Sequence, residues 1–248
     1  MRAVFRPSNL SLKFHDVWRC CNAMARDLLS KHVVVVGATG VLGARIAAHL
    51  AAAGARVSAI VRDHTRLDGA SVFQYALADV TDTAAMQIAF ASVASAAPID
   101  GVVNATGVVA FGGINELDDA TLARLFAVNA TAPIVMLRES AALIAEGGFF
   151  VNISGVVATQ PVAGMAAYSA SKAAAWSAMS AVARELRRRR IDVIDARPPH
   201  TETGLASRAI AGVAPKMPVG LTPDVVAARI VGAIVAGERD LPTEAFGV

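Results

Sequence analysis

The stretch that decides the fold reads Val33-Val34-Val35-Val36-Gly37-Ala38-Thr39-Gly40-Val41-Leu42-Gly43, and an Ala-rich segment follows it. The four valines predict a short buried strand, and the segment that follows predicts a helix over Gly43 to Ala53. Glycines at the turn between them let backbone N–H groups and a helix N-terminus approach a pyrophosphate. The stretch therefore predicts a dinucleotide-binding turn, with candidate cofactor contacts at Gly37, Thr39, Gly40, Val41, Leu42 and Gly43.

Short apolar runs alternate with longer Ala-rich stretches from His32 onward. This alternation is typical of βαβ units that build a mostly parallel sheet, and it predicts an α/β fold with a single doubly wound Rossmann domain. The predicted strands are Val33 to Val36, Arg56 to Val61, Ser71 to Leu77, Gly101 to Asn104, Phe149 to Ile153 and Asp192 to Ala196. The predicted helices are Gly43 to Ala53, Thr83 to Ala97, Ala120 to Glu146, Ala166 to Arg190 and Pro223 to Ala236.

The chain has 248 residues, of which 55% are hydrophobic and 17% are charged. One doubly wound sheet buries a large core at this length, so we expect a single domain over residues 31–248. Residues 1–30 mix basic and scattered apolar residues, which indicates a loosely ordered extension. Two other interpretations stay open: an Arg-rich targeting peptide, or a mis-assigned start with Met24 as the true first residue. Residues 201–221 have no clear period, and we expect a mobile flap with a little helix there.

Composition argues against several classes of function. The formal net charge is +3, from 23 basic and 20 acidic residues, which is too balanced for a nucleic-acid groove. No uninterrupted apolar run reaches the roughly 18 residues that a membrane-spanning helix requires. Cys20 and Cys21 are adjacent and have no second pair, so we predict no metal site. We therefore expect a cytoplasmic protein without nucleic-acid or membrane partners.

The end of the second predicted strand bears on the choice of cofactor. An acid that binds the ribose 2′-hydroxyl of NAD normally ends this strand, about 20 residues beyond the glycines. Here the strand end reads Ile60-Val61-Arg62-Asp63. With usual element lengths Val61 takes the acid position, and Arg62 follows it, where a guanidinium can bind the 2′-phosphate of NADP. NADP is therefore favoured. If the strand is longer, Asp63 takes the acid position and NAD is the cofactor. In a further alternative, Arg62 is an ordinary surface residue without a role in binding.

A phenol and an ammonium stand four residues apart in Tyr168-Ser169-Ala170-Ser171-Lys172. On a helix these two side chains lie on the same face, one turn apart. A nearby cation stabilises a phenolate and lowers the tyrosine pKa from its reference of about 10. The pair therefore predicts a general acid/base that works near neutral pH, whereas an isolated tyrosine at a helix start would be structural.

The motifs stand in the order and spacing of the short-chain dehydrogenase/reductase family, which the chain resembles along nearly all of residues 32–240. The glycine turn is similar to the family's motif, although the commoner version has its middle glycine one residue later. Tyr168 and Lys172 match the catalytic Tyr-x-x-x-Lys of the family. The resemblance implies an NAD(P)-dependent oxidoreductase in which Lys172 also holds the nicotinamide ribose.

Two segments after predicted strands resemble the family's cofactor-binding positions. Asp79-Val80 resembles the pair that follows the third strand, and Asp79 is implied near the adenine. Asn104-Ala105-Thr106-Gly107 is similar to the Asn-Asn-Ala-Gly turn after the fourth strand, with the first and last residues kept. The resemblance implies that both segments form walls of the cofactor site.

Later in the chain, Asn129 resembles the family's helix-borne asparagine, which is implied to hold a water in a proton relay. Pro198, Pro199 and Thr203 resemble the Pro-Gly-x-x-x-Thr segment beside the nicotinamide, and Thr201 joins the implied cofactor contacts. Proline in place of the family's glycine stiffens this turn. His200, in the expected substrate flap, is a candidate substrate contact.

The family's catalytic serine is the motif that does not match. It most often lies thirteen positions before the tyrosine, and here that position is Gly155. Ser154 lies one residue earlier, and because strand side chains alternate between faces, a pure one-residue slip would point it the wrong way. We predict that the strand ends early or bulges at Gly155, so that Ser154 polarises the substrate carbonyl. In the alternative, Ser154 bonds to its own turn and the carbonyl is left to Tyr168 alone.

These features together predict an enzyme that interconverts a small-molecule alcohol and a ketone or aldehyde, with a preference for NADP(H). In the reduction Tyr168 donates a proton to the carbonyl oxygen, Lys172 lowers the pKa of Tyr168, and Asn129 helps to resupply the proton. The alternative is a catalytically weakened cofactor-binding protein of the same fold that acts as a sensor or scaffold. The resemblance also implies a homodimer or homotetramer, assembled through the helices around Asn129 and Tyr168.

Overall fold

The structure is a computed structural model that describes residues 25–67 and 72–247. Within these residues it has the strands β1 (His32–Val36), β2 (Arg56–Val61), β3 (Gln74–Leu77), β4 (Ile99–Asn104), β5 (Ile144–Ile153), β6 (Asp192–Ala196) and β7 (Asp240–Leu241). They form one parallel sheet in the order β3-β2-β1-β4-β5-β6-β7. The predicted α/β fold with a doubly wound parallel sheet is confirmed.

Helices pack on both faces of this sheet. In the described residues they are α1 (Val41–Ala52), α2 (Thr83–Ala96), α3 (Asp119–Phe126), α4 (Ala132–Ala141), α5 (Ala166–Glu185) and α6 (Pro223–Ala236). The side chain of Thr222 accepts a hydrogen bond from the Val225 amide, so α6 begins at the predicted proline with a capped end.

The predicted helix Ala120 to Glu146 is divided and ends earlier than predicted. A π-helical turn over Ala127–Thr131 separates α3 from α4. The chain leaves α4 at Ala141 because Ile144 already pairs with Ile99 of β4 and is buried in the core. β5 therefore begins at Ile144 instead of Phe149, with a register shift along its pairing with β4.

Other boundaries differ by smaller amounts. α5 ends at Glu185 and continues as a 3-10 turn over Leu186–Arg189, so the predicted helical stretch tightens in its last turn. β3 begins at Gln74, and the predicted start at Ser71 lies outside the described residues. Sequence reasoning missed β7, which has two residues and is too short to show a period.

The valines of β1 alternate between the two faces of the sheet. Val33 and Val35 join the apolar layer that contains α1 and α6, whereas Val34 and Val36 join the layer that contains α2 and α5. Burial on both faces explains why the strand reads as an unbroken apolar run. Strand order reverses where β1 lies between β2 and β4, and in such sheets ligands bind in the crevice at the carboxyl ends of these strands.

Part of the predicted N-terminal extension is packed against the domain. Leu28 is buried, and Arg26 donates hydrogen bonds to Asp192 Oδ2 (2.9 Å) and to the Ile234 carbonyl (2.9 Å). The packed domain therefore begins before residue 31. The remaining part of the predicted extension, residues 1–24, lies outside the described residues.

The predicted flap, residues 201–221, contains one 3-10 turn at Ala206–Arg208. Its two ends meet in a parallel bridge between Thr201 and Leu221. The Ile210 amide donates to the Val109 carbonyl at 2.8 Å, and this bond ties the middle of the flap to the segment after β4.

The helical stretch Asp119–Ala141, which runs from α3 through the π-helical turn to α4, has the length and composition of a membrane-spanning helix, with a mean hydropathy of 1.5. Within the protein 56% of its most apolar window is buried. The core helix of a globular domain has the same properties, so this helix is weak evidence for a membrane.

Candidate active site

The glycine turn between β1 and α1 is built for close approach of backbone and ligand. Gly37 has φ +87°, and a Cβ atom there would lie 2.8 Å from Thr106 Cγ2. A Cβ atom at Gly43 would lie 2.3 Å from the Gly37 carbonyl oxygen, so Gly43 allows α1 to pack on the turn. Gly40 is the N-cap of α1, and no described side chain caps this helix end. The first amides of α1 are therefore available to an anion.

A cavity of about 570 Å³ opens at this turn, a volume that suits a small-molecule site. It brings together most of the predicted site residues, which lie on elements far apart in the sequence. Its lining includes Gly37, Thr39, Gly40, Val41, Leu42, Arg62, Asp79, Val80, Ala105, Thr106, Gly107, Ser154, Tyr168, Lys172, Pro198, Thr201 and Thr203. Gly43, Asn104 and Asn129 are not in this lining.

Basic side chains gather at the β2 end of the cavity. β2 ends at Val61, as predicted, so Arg62 is the first residue beyond the strand and is exposed. Arg66 and Arg124 line the same cavity, and sequence reasoning missed both. Asp63, the residue that kept NAD open, instead accepts hydrogen bonds from the Thr65 amide (2.9 Å) and hydroxyl (2.8 Å).

Asp79 lies near these arginines and is held by its own turn. Its carboxylate accepts hydrogen bonds from the Thr81 hydroxyl (2.7 Å) and amide (2.9 Å). These bonds, with smaller contributions from Arg124 and Arg62, lower the pKa of Asp79. The carboxylate is therefore ionised at neutral pH and can accept a hydrogen bond from a bound ligand.

Tyr168 and Lys172 lie on the first turns of α5, as their spacing predicts. Burial raises the pKa of Tyr168 to about 12 and lowers the pKa of Lys172 to about 8. The neighbouring cation predicts a lowered pKa for Tyr168, whereas the pKa is raised. The reason is that desolvation dominates, while Lys172 Nζ donates to the Ile153 carbonyl at 2.8 Å.

Asn129 sits in the π-helical turn and is almost completely buried. Its Oδ1 accepts from the Val108 amide (3.0 Å), and its Nδ2 donates to the Val108 carbonyl (2.9 Å) and to Ser171 Oγ (3.1 Å). A Cβ atom at Gly107 would lie 3.2 Å from Lys172 Nζ and 3.4 Å from Asn129 Oδ1. Gly107 therefore lies close to both groups, and a side chain at this position would crowd them.

β5 ends at Ile153, directly before Ser154 and Gly155. The amides of Ser154 and Gly155 both donate to the Ala196 carbonyl, at 3.0 and 3.2 Å, and Gly155 has φ +81°. The strand therefore ends at the predicted residue, and the backbone is irregular directly after it. The Ser154 hydroxyl, however, donates to Asp195 Oδ1, and the residue is 1% exposed.

Ser154 points this way because it continues the alternation of the strand. Phe150 belongs to the apolar layer on the α5 face of the sheet, and Asn152 and Ser154 follow it at intervals of two residues. No bulge between Phe150 and Ser154 reverses the alternation, so the side chain of Ser154 points to the same face of the sheet as Phe150 and Asn152. The carbonyl-polarising role of Ser154 stays a prediction, and the bond to Asp195 favours the alternative in which Tyr168 serves the carbonyl alone.

A row of polar side chains crosses the sheet beside the cavity. Asn104, Asn152 and Asp195 occupy paired positions on β4, β5 and β6. Asn104 Nδ2 donates to Asn152 Oδ1 (3.0 Å), and Asn152 Nδ2 donates to Asp195 Oδ2 (2.8 Å). At the other end Asn104 Oδ1 accepts from the Thr106 amide (3.0 Å) and hydroxyl (2.6 Å), which shapes the turn of the cofactor wall.

Asp195 is the charged member of this row. It is 5% exposed, and burial raises the pKa of its carboxyl against the opposing hydrogen bonds from Ser154 and Asn152. Arg197 Nη1 lies 3.5 Å from Asp195 Oδ1 and donates to Asp240 Oδ1 at 2.8 Å. Sequence reasoning missed this cluster, although acidic and basic residues in a short apolar strand are a usable signal because buried charges are normally paired.

The segment after β6 forms the remaining wall. Pro198, Pro199, Thr201 and Thr203 line the cavity together with His200. Thr201 Oγ1 donates to the Pro199 carbonyl at 2.9 Å, which stabilises the stiff turn. His200 Nε2 lies 3.2 Å from a carboxylate oxygen of Glu202, so His200 is at the cavity in the predicted flap.

Comparison with known proteins identifies the family of this chain. The family model described as short chain dehydrogenase matches residues 31–213. The chain therefore belongs to the short-chain dehydrogenase/reductase family, and its fold is the NAD(P)-binding Rossmann fold of these oxidoreductases.

Individual relatives support the same assignment. The chain is 35% identical to galactitol 2-dehydrogenase (L-tagatose-forming) of Cereibacter sphaeroides over 162 residues. These residues cover 61% of this chain and 63% of that protein. It is 30% identical to L-xylulose reductase of Caenorhabditis elegans over 181 residues, 69% of this chain and 72% of that protein. A short chain dehydrogenase from Burkholderia cenocepacia, solved in complex with NADP, has a TM-score of 0.76 and 28% identity, covering 88% of this chain and 98% of that one.

Proposed function

We propose that the protein is an NADP(H)-preferring oxidoreductase that interconverts an alcohol and a ketone or aldehyde by hydride transfer, with Tyr168 as general acid/base. The observation that carries the proposal is one cavity lined by the glycine turn, by Arg62 and by the Tyr168–Lys172 pair. An anion site, a 2′-phosphate partner and a proton donor are what this chemistry requires.

The residues present fit a nicotinamide cofactor. The glycine turn leaves space that a Cβ atom would fill, and the first amides of α1 are available for a pyrophosphate. Arg62, with Arg66 and Arg124 at the same end, would hold the 2′-phosphate of NADP. When bound, the cofactor supplies or accepts the hydride. Lys172 would hold the ribose and Asp79 would lie near the adenine.

Tyr168 is suited to donate a proton in the reduction. With its pKa raised to about 12, the phenol is protonated at neutral pH and can protonate the carbonyl oxygen. Lys172, with its pKa lowered to about 8, is mostly cationic at pH 7 and would stabilise the phenolate that remains. Asn129 would help to resupply the proton, and its Oδ1 and Lys172 Nζ both lie close to Gly107.

Ser154 is a second candidate donor to the substrate carbonyl. Its single hydroxyl proton cannot be donated to Asp195 and to a substrate carbonyl at the same time. We therefore propose Tyr168 as the donor to the carbonyl. Ser154 becomes a second donor only if its hydroxyl leaves Asp195.

The second candidate function is a catalytically weakened cofactor-binding protein that acts as a sensor or scaffold. The observation that favours it is the absence of a side chain at Gly155 combined with the Ser154 hydroxyl bound to Asp195. This candidate predicts cofactor binding without turnover, and Gly155→Ser would then create or raise activity.

The assembly and location of the protein are part of the proposal. We propose a homodimer or homotetramer in the cytoplasm, formed through the helices that carry Asn129 and Tyr168. Exposed apolar side chains on the helical stretch Asp119–Ala141, among them Phe126 and Ile134, support such an interface.

The test is a panel of carbonyl compounds with NADPH, followed by nicotinamide absorbance, on the wild type and on Tyr168→Phe. We expect Tyr168→Phe to lower turnover by about 10²-fold or more, because a positioned acid/base contributes about 10²- to 10⁴-fold. Its affinity for NADPH, measured by fluorescence titration, should hardly change.

Tyr75→Phe is the matched control, since Tyr75 is the other tyrosine of the chain and lies exposed on β3. It should keep full turnover. Undiminished turnover in Tyr168→Phe would contradict the acid/base role. NADPH binding without consumption of NADPH by the wild type on the whole panel would favour the sensor or scaffold.

A further inference from the structure

One end of the cavity is formed by residues that have no part in the cofactor contacts described above. They come from three segments: the chain after β4, the loop between β5 and α5, and the flap. The flap is tied to the first of these by the bonds from the Ile210 amide to the Val109 carbonyl (2.8 Å) and from the Phe111 amide to the Ala211 carbonyl (3.0 Å). Most lining side chains at this end are apolar, among them Val109, Phe111, Val157, Val162, Leu205 and Met217.

The ionisable side chains at this end, in the part of the chain that the structure describes, already have partners. Arg208 Nε donates to the Gly204 carbonyl (3.0 Å), and Arg208 Nη2 donates to the Thr203 carbonyl (3.1 Å). His200 lies 3.2 Å from the carboxylate of Glu202. A ligand with many hydroxyl groups would therefore face mainly apolar side chains at this end of the cavity.

We infer that the substrate is a carbonyl compound, or its alcohol, with a bulky apolar body of alkyl or aryl groups. The inference rests on the proposed function, because it places the reacting carbonyl at Tyr168 and the apolar body under the flap. Burial of the body against Leu205 and Met217 supplies binding free energy in proportion to the apolar area removed from water. Hydroxyl groups in the same place would lose their water partners without replacement.

This substrate class differs from the one that two relatives carry in their names, galactitol and L-xylulose. Sugars and sugar alcohols have a hydroxyl group on nearly every carbon, and a specific site for them must pair most of these groups. The apolar lining therefore separates this chain from those two relatives in specificity within a shared fold.

The experiment compares methyl ketones from 2-butanone to 2-decanone with L-xylulose and L-tagatose, using the full chain and NADPH. We expect kcat/KM to rise by about threefold for each added methylene that is buried, and both sugars to be at least about 10²-fold poorer than the best ketone. Binding of each compound to the NADPH complex is measured in parallel through nicotinamide fluorescence.

A pair of variants locates the effect in the cavity. Met217→Asn should lower kcat/KM for long ketones by about tenfold or more and leave NADPH affinity unchanged, because it places an amide against the apolar body. Val219→Asn is the control, since Val219 is 93% exposed in the same segment and does not line the cavity. It should leave kcat/KM unchanged.

The outcomes separate this inference from the proposed function. Turnover of the sugars at or above the level of the ketones would overturn the apolar substrate class and leave the oxidoreductase intact. Binding that strengthens with chain length but without any turnover would support the apolar class and contradict the proposed function. Ketone binding or turnover that does not increase with chain length would overturn the inference.

Discussion

Ser154 and Asp195 are in direct contact, and this contact sets the expected behaviour of Ser154→Ala. If the hydroxyl polarised the substrate carbonyl, its removal would cut turnover by about 10²-fold or more, as for other positioned donors to a developing oxyanion. Because the hydroxyl donates to Asp195 instead, we expect a loss of less than about tenfold. The measurement is kcat on the best ketone of the panel, with NADPH affinity as the check on folding. A loss of 10²-fold or more would return Ser154 to the role of carbonyl donor.

The negative charge of Asp195 acts on Lys172. Burial lowers the pKa of Lys172 to about 8, and Asp195 opposes this shift. Asp195→Asn removes the negative charge, so the pKa of Lys172 should fall further. If catalysis requires cationic Lys172, activity is lost as pH rises through that pKa, and the loss should begin at lower pH in the variant.

The pH profile of kcat/KM measures this shift, and a merely structural role of Asp195 would not move it. Asp240→Asn is the matched control, because Asp240 pairs with the same Arg197 but has 64% of its side chain exposed. The alkaline limb of the pH profile of Asp240→Asn should lie at the same pH as that of the wild type. An unshifted limb in Asp195→Asn would contradict the coupling between Asp195 and Lys172.

At the scale of one element, the end of β2 decides the cofactor prediction. β2 ends at Val61, which makes Arg62 the first residue beyond it. Arg62→Asp replaces a phosphate partner with an acid that can accept from a 2′-hydroxyl, so the preference for NADPH over NADH should fall by about 10- to 100-fold.

The ratio of kcat/KM for the two cofactors is the readout. Arg187→Asp, at the far end of α5 and outside the cavity lining, makes the same change of charge and should leave the ratio unchanged. An unchanged ratio in Arg62→Asp would show that the 2′-phosphate is not held at the end of β2.

The elements that carry the site could be predicted because each has a local signal. Four valines followed by glycines define β1 and the turn, and the four-residue spacing of Tyr168 and Lys172 defines one helix face. The break in the long helix at Ala127–Thr131 could not be read from the sequence. It depends on Asn129, which bonds to the backbone of Val108 across the site.

The part of the site that sequence reasoning missed depends on contacts between strands distant in the chain. Asp195 meets Asn152 and Ser154 only because β5 and β6 pair in one particular register. In the same way Arg124 reaches the β2 end of the cavity from another element. Spacing along one segment carries no information on such neighbours, whereas a charged residue inside an apolar strand does indicate that a partner exists.

At the scale of the whole molecule, we propose that the helical stretch Asp119–Ala141 forms the contact between copies of the chain. More than half of its most apolar window is buried inside the protein, and apolar side chains of the same helix are exposed, among them Phe126 (36%) and Ile134 (42%). A second copy of the chain packed on this helix would remove them from water, with a gain of roughly 25 cal/mol per Å² of apolar area. We therefore expect sedimentation at micromolar concentration to give a multiple of the 25.5 kDa chain mass.

The same helical stretch contains the π-helical turn that holds Asn129. An interface at this stretch would therefore also limit local opening of the segment that positions Asn129. Phe126→Glu combined with Ile134→Glu should shift the protein toward the monomer, because each change puts a charge into the apolar contact. Ile88→Glu on α2, at a position that is 71% exposed, is the control and should keep the mass of the wild type. Specific activity should fall on dilution as the copies separate. A monomer mass for the wild type would contradict the predicted assembly.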